Sequence, residues 1–416
     1  MPYRPRVIDD ELRLLLSSAG AVLLEGPKGV GKTEAARQHA RSEVLLDLDS
    51  SARTVADIDP GLLLAGEVPR LLDEWQLVPS LWNQVRRAVD ARRASGQFIL
   101  TGSAVPADDV TRHTGAGRIA RLRLRPMSLF ELAHSSGVVS LRALLNGGTA
   151  SAPDTGLTVS DIAELVCTGG WPLNLGMSTR ASLRALRSYL EDVQRTDIQR
   201  VDGVSRDPSR VARVLRAYAR HVSTEASTST IAADLDGATG AVHRDTLSDY
   251  LTAMERLLVI EEQPAWAPHL RSRARVRNAS KRHFVDPSLA VAALRASPEH
   301  LLKDPALFGT LFESLVVRDL RVYGQAHDTQ VLHYRDNTGL EVDVVLESAD
   351  GRWAALEVKL GSGAIDAAAA SLMRFRQKVD TDRVGPPAFL AVVTASGYAY
   401  VRPDGVQVIP IGTLGP

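Results

Sequence analysis

Lys32 and Thr33, set behind spaced glycines, are the residues of this chain best suited to handling phosphate. They close the run Gly26-Pro27-Lys28-Gly29-Val30-Gly31-Lys32-Thr33, which follows the apolar segment Ala21-Val22-Leu23-Leu24 and leads through Glu34 into a helix-like stretch ending at Arg41. Glycines at this spacing let backbone N–H groups turn inward around a phosphate chain, and the helix start adds its positive dipole end. Lys32 is then expected at the β- and γ-phosphates, with the Thr33 hydroxyl on Mg²⁺. A chance glycine-rich turn gives no reason for strand, loop, Lys-Thr and helix to occur in that order.

Such a loop needs a carboxylate on the metal side, carried by a neighbouring strand. Arg70-Leu71-Leu72-Asp73-Glu74-Trp75-Gln76 offers one, 40 positions beyond Thr33. Asp73 is expected to hold the Mg²⁺ shell and Glu74 to polarise the attacking water. The other reading is a surface Asp-Glu pair, because only two apolar residues directly precede Asp73. Gln97-Phe98-Ile99-Leu100-Thr101-Gly102-Ser103 is a further strand ending in hydroxyls, which suits it to place a polar sensor near the γ-phosphate. Strand-like runs at 21–25, 44–48, 70–73, 97–101 and 119–124 alternate with helical stretches, and so predict a five-stranded, mostly parallel sheet. A ligand belongs at the carboxyl ends of those strands.

A second set of chemical residues lies near the other end of the chain. Leu340-Glu341-Val342-Asp343 and Trp353-Ala354-Ala355-Leu356-Glu357-Val358-Lys359 are strand-like, and Ala349-Asp350-Gly351 between them predicts a hairpin. Asp343 and Glu357 then project from adjacent strands, with Lys359 on the face of Glu357, near a helix over Gly309–Arg321 that holds Glu313. Two carboxylates able to share a Mg²⁺ or Mn²⁺, beside a lysine that can orient a water, suit phosphodiester hydrolysis.

The 416 residues suffice for two to four domains, and 44% hydrophobic and 24% charged residues are ordinary for a globular chain. Lys+Arg and Asp+Glu both total 49, so no global field draws the protein to nucleic acid. Lysine stands at only six positions, 28, 32, 281, 303, 359 and 378, against 43 arginines. One cysteine, Cys167, excludes an internal disulfide and a cysteine zinc cage, and reads as a buried small apolar residue. With neither a signal-like start nor an 18-residue apolar window, the expected location is cytosolic, with no membrane contact.

Residues 126–200 read as mainly helical, broken at Gly169-Gly170-Trp171-Pro172. Residues 207–262 have the order of a winged helix: helices around Val211–His221 and Thr228–Leu235, a turn at Gly237 and Gly240, and a helix from Val242 to Leu257 whose Leu247, Leu251, Met254, Leu257 and Leu258 are spaced for one buried face. The strip that follows carries six positive charges in twelve residues, Arg271, Arg273, Arg275, Arg277, Lys281 and Arg282, without an acid. If extended, it aligns its four odd-numbered arginines on one face, as a DNA backbone would require. A solvated wing, or a strip paired with acids elsewhere, is the competing reading.

The ordered motifs Gly-Pro-Lys-Gly-Val-Gly-Lys-Thr, Leu-Leu-Asp-Glu-Trp-Gln, Ile-Leu-Thr-Gly-Ser and Gly117-Arg118-Ile119 running into Leu124-Arg125-Pro126-Met127-Ser128-Leu129-Phe130-Glu131 resemble the AAA-type ATPases of bacteria and archaea that carry a C-terminal domain of unknown function. The resemblance implies ATP as the nucleotide, Ser103 as sensor, and Arg118 as a γ-phosphate sensor acting in cis or from a neighbouring copy in a ring or dimer. A solvated strand-edge arginine is the alternative for Arg118. The C-terminal constellation is similar to the PD-(D/E)xK nuclease core, with Glu313 as the first-helix acid. It departs from that pattern in having Val342 in place of Pro before Asp343, and Gln377 on a following helix without a sharp motif. An active nuclease, a nucleic-acid-binding or inert relic, and a coincidental Glu-x-Lys pair all stay open.

The expected architecture is therefore α/β and multidomain: a P-loop AAA-type core with a parallel sheet (1–125), a helical lid or linker (126–205), a winged helix with a basic wing (206–282), and a restriction-endonuclease-like α/β domain (283–416). Its expected activity is Mg²⁺-dependent ATP hydrolysis working as a switch on DNA, with Lys32, Glu74 and Arg118 catalytic, Gly26 to Glu34 and Ser103 binding nucleotide, and Thr33 and Asp73 holding metal. Two alternatives are an ATP-gated endonuclease using Glu313, Asp343, Glu357 and Lys359 with a second Mg²⁺ or Mn²⁺, and an ATP-responsive scaffold for a protein partner.

Overall fold

Strand β1 (Ala21–Glu25) is buried along its whole length, as apolar runs are when helices cover both faces of a parallel sheet. A computed structural model describes residues 3–104, 114–235, 244–269, 271, 277 and 279–416. Its contacts divide the chain into two units, Met1–Arg125 with Asp197–Ser205 and Ala253–Val259, and the remainder. In the first unit β1 joins β2 (Ser42–Leu45), β3 (Arg70–Asp73), β4 (Phe98–Gly102) and β5 (Ile119–Arg123) in the order β2-β3-β4-β1-β5, every pairing parallel. The second strand comes two residues earlier than its expected start, and the helix after the glycine loop, Lys32–Arg37, stops short of Arg41.

Period two along these strands sorts the core into two layers. Ala21, Leu23, Leu72, Phe98, Leu100 and Ile119 pack with Trp75, Trp82 and Val85. Val22, Leu24, Leu71, Ile99 and Leu122 pack with Ile8, Leu12, Leu16 and Ala35. The strand order places the carboxyl ends of β3, β4 and β1 side by side, which brings together segments far apart in sequence.

The second unit holds a short parallel pair, β6 (Val139–Ser140) with β13 (Leu414–Gly415), and a six-stranded sheet. That sheet comprises β7 (Thr329–Arg335), β8 (Glu341–Ser348), β9 (Trp353–Lys359), β10 (Leu390–Thr394), β11 (Tyr400–Val401) and β12 (Gln407–Pro410), in the order β11-β12-β10-β9-β8-β7. The β8–β9 hairpin forms as expected, with Val344 opposite Leu356, a register that sets Asp343 against Glu357. The 21-residue helix Pro305–Gln325, longer than expected, packs on β7, β8 and β9, and helix Ile365–Lys378 packs on β8, β9 and β10. Trp266, Trp353, Tyr334 and Phe375 fill the core there through tilted and edge-on ring contacts.

Arg318, on the long helix, is buried between Asp286 (2.8 Å) and Asp319 (2.6 Å). Asp286 Oδ2, the oxygen that faces Arg318, also accepts from the Gly170 N–H at 3.0 Å, and the second Asp319 oxygen accepts from the Leu129 N–H at 3.0 Å, so one charged cluster fixes three remote segments. Cys167 is buried and free, as expected. Helices Pro208–Arg220, Thr228–Ala233 and Arg244–Arg256 follow in the expected order, and the isolated bridges Val222 with Arg282, Gln263 with Lys281, and Ile260 with Phe284 align the extended segments around them. The turn at Gly237 and Gly240 lies outside the described residues.

Candidate functional site

Glycine is required at two points of the loop that leaves β1. Gly31 caps the helix Lys32–Arg37 at φ 95°, in the left-handed region. A Cβ on Gly26 would stand 2.3 Å from the Leu124 carbonyl oxygen. The loop curls over Lys32, whose Nζ donates to the Gly26 and Pro27 carbonyls, each at 3.0 Å. Burial lowers the Lys32 ammonium to about 8, against the opposing charges of Glu74 and Asp73. Val30 is buried in the core and serves through its backbone, Glu34 pairs with Arg37 at 2.6 Å, and Lys28 meets Asp197 at 3.5 Å.

The adjacent strand ends complete the site. The Thr33 hydroxyl donates to Asp73 Oδ1 at 2.8 Å, so the hydroxyl and carboxylate expected at a Mg²⁺ face each other from the start of the helix Lys32–Arg37 and the end of β3. Asp73 is raised by burial, while the Thr101 and Thr33 hydroxyls pull the other way. Glu74 occupies the left-handed region at φ 54°, strain that is rare outside glycine and typical of functional turns. Its carboxylate accepts from Ser103 Oγ at 2.9 Å and from Gln76 Nε2, and its backbone N–H donates to Thr101 Oγ1 at 3.1 Å. Hard oxygen donors at Thr33 and Asp73, beside a buried ammonium and a glycine cradle, fit a Mg²⁺–nucleotide.

Arg118 corrects one expectation. Ile119 pairs with Ala21, and the Arg118 carbonyl accepts from Ala21 N at 3.0 Å, which places Arg118 at the amino end of the strands. The loop lies at the carboxyl end, about 16 Å away along five extended residues. Arg118 instead pairs with Asp90 at 2.9 Å, half exposed, and within its own chain it does not reach the loop.

The C-terminal residues do converge. Lys359 Nζ lies 2.7 Å from Glu357 and 3.1 Å from Asp343, whose Oδ2 also accepts from Val358 N at 2.9 Å. Glu313 reaches the cluster from the long helix. A cleft of about 750 Å³, lined by Thr338, Glu341, Asp343, Glu357, Lys359 and Lys378, opens beside it. Burial and the Asp343 charge push Glu357 up to about 8 despite Lys359, and burial pushes Glu313 up to about 8.

The basic strip is only partly a surface. Lys281 is 1% exposed and ion-paired with Glu313 at 2.8 Å, Glu341 at 3.0 Å and Asp343 at 3.5 Å. Arg282 is largely buried, paired with Glu262 and donating to the Ala226 carbonyl at 3.0 Å. Both are corrections: an enclosed cation already matched by carboxylates cannot meet a phosphate backbone. Arg271 is half exposed but faces Asp380 and Asp382 at 3.7 and 3.4 Å, and Arg277 is exposed. Arg273 and Arg275 lie outside the described residues.

Thr101 and Gln76 were not assigned from the sequence, although the hydroxyl-terminated strand and the Asp-Glu-Trp-Gln run contain them. Glu341 and the inward Lys281 were missed too. Their one signal was a lysine standing among arginines at 281.

Residues 18–133 match the AAA domain family, residues 159–300 a domain of unknown function, DUF8612, and residues 308–414 another, DUF4143. Among solved structures the chain is similar to the Walker-type ATPase paby2304 of Pyrococcus abyssi, at 15% identity and a TM-score of 0.45, over 70% of this chain and 99% of that one. No curated protein matches the chain. The AAA match spans the loop, Asp73, Glu74 and Ser103, and it supports ATP binding and hydrolysis by this segment.

Proposed function

We propose that the chain is a Mg²⁺-dependent ATPase whose nucleotide state acts as a switch. The observation that carries this reading is the convergence of Thr33, Asp73, Thr101, Glu74 and Ser103 at the carboxyl ends of β1, β3 and β4, with Lys32 in the adjoining cradle. Lys32 binds the terminal phosphates, and the backbone from Gly26 to Gly31 cradles the chain behind them. Thr33 and Asp73 hold Mg²⁺, which when bound neutralises charge on the phosphate oxygens. Glu74, fixed by Ser103 and Gln76, orients the attacking water, and Ser103 senses whether the γ-phosphate is present. Arg118 acts only in trans, in an assembly that brings a second copy of the chain to the loop. Replacing Glu74 by Gln preserves ATP binding and abolishes turnover; a variant hydrolysing at the wild-type rate sinks the assignment.

The ion pair of Lys28 with Asp197 supports the switch, because Asp197 opens the segment Asp197–Ser205 that returns from the second unit's sequence to the nucleotide unit. In this reading the switch acts on DNA through Arg271, Arg273, Arg275 and Arg277, and the order of three helices and bridged extended segments between 208 and 284 supports a winged helix. DNA affinity then weakens steeply between two salt concentrations. A salt-insensitive or absent interaction points instead to a protein partner.

A further inference from the structure

The residues that resemble a nuclease centre carry an addition that such a centre does not call for. Among the described residues, no three of His, Cys, Asp and Glu converge as ligands around a point where a metal ion could sit. What the carboxylates converge on is an ammonium. Lys281 Nζ lies 2.8 Å from Glu313 Oε1, 3.0 Å from Glu341 Oε1 and 3.5 Å from Asp343 Oδ1. The other Asp343 oxygen is taken by Val358 N and Lys359 Nζ, and Lys359 also holds Glu357. Both oxygens of the central aspartate are therefore committed to donors that belong to the chain.

We propose that Lys281 is a tethered counter-ion that stands in for a divalent metal, so that the C-terminal unit is a metal-independent module and not a nuclease. Three features argue for this. First, the ammonium is 1% exposed, so water does not screen it from its carboxylates, and displacing it would expose buried acids to one another. Second, Lys281 is held in place by its own backbone, which exchanges hydrogen bonds with Gln263 at 2.9 Å in both directions. Gln263 is in turn fixed, its side-chain amide donating to the Leu332 and Asp343 carbonyls at 2.8 and 3.1 Å. Third, a second ammonium already serves Asp343, and a divalent ion added to two ammoniums would meet strong like-charge repulsion at these distances. Mg²⁺ also demands near-octahedral oxygen ligation at about 2.0–2.1 Å, whereas Asp343 turns both of its oxygens to ammonium or N–H groups of the chain. The inference is independent of the ATPase reading, since none of these residues belongs to the nucleotide unit.

The experiment measures Mn²⁺ binding by calorimetry on the full chain without nucleotide. All samples carry Asp73→Asn, so that the loop contributes no metal site. With Lys281 intact, no Mn²⁺ binding that depends on Asp343 is expected up to millimolar concentrations. Binding that Asp343→Asn abolishes overturns the proposal. Because Lys281→Met alone leaves Glu313 buried without a counter-charge, the gain is sought in Lys281→Met/Glu313→Gln, which removes both charges together. That variant is expected to bind Mn²⁺ at least about tenfold more tightly than the parent, and to lose the gain when Asp343→Asn is added. A folded double variant that gains nothing shows that Lys281 is not what excludes the ion, and overturns the proposal.

Discussion

Lys32 makes nucleotide affinity depend on pH in a way that can be worked out beforehand. In the proposed site phosphate binding requires its ammonium, yet burial in the free chain lowers its pKa from 10.5 to about 8. A triphosphate in contact with it supplies negative charge and restores the pKa to its ordinary value or higher. The sign follows: affinity is full below about pH 8 and is lost as pH rises through it, because the free chain must then take up a proton to bind. The protonated fraction of the free chain is about 0.9 at about pH 7 and about 0.03 at about pH 9.5, so affinity falls about 30-fold, or about 2 kcal/mol. Titration calorimetry with ATP in EDTA separates this effect from the metal. At about pH 8, paired buffers of different ionisation enthalpy should report uptake of about half a proton per ATP. Lys32→Arg keeps its charge throughout, so its affinity, whatever its absolute value, should stay level over the same range. A wild-type affinity that is flat across the range, or that falls in parallel with Lys32→Arg, refutes the reasoning.

Thr101→Val strips the donor from Asp73 and the acceptor from the Glu74 N–H, and should cost about 1–3 kcal/mol in urea denaturation, with a fall in kcat larger than any change in KM. Arg318→Met leaves Asp286 and Asp319 buried without a counter-charge and should destabilise the chain by about 3–5 kcal/mol. Burial already raises Asp319 above its ordinary value against the opposing charge of Arg318, and removing that charge raises it further. The deficit in Arg318→Met should therefore shrink as pH falls toward about 5 and grow toward about 8 in chemical denaturation; the reverse trend contradicts the assignment.

The nucleotide site was legible because its parts are local. The loop from Gly26 to Thr33 has its conformation dictated by its own glycines, and each later motif sits at the end of a strand recognisable by its apolar run. Composition and order thus pointed to an α/β unit with its strands placed to within about three residues, and singled out Lys32, Thr33, Asp73, Glu74 and Ser103, which the fold brings together. The β8–β9 hairpin was legible for the same reason, since its turn and its period-two pattern are contiguous.

Tertiary structure decided which end of the sheet each residue occupies and which partner each charge has. Arg118 precedes its strand and so stands at the amino edge, a consequence of parallel register that a linear motif does not express. The strip from Arg271 to Arg282 looked uniform because formal charge is additive along a sequence, but burial is not: Lys281 turns inward to Glu313, Glu341 and Asp343, up to 62 positions away. Of the six lysines, Lys28, Lys32, Lys281, Lys359 and Lys378 each hold a defined acid or backbone partner. The Lys281 ammonium is a compact point charge with three donors, and it faces three carboxylates at once. Sequence alone determined that these positions are lysine; the fold decided that Lys281 is a buried counter-ion and not a contact for DNA, because only packing sets which charges leave water together.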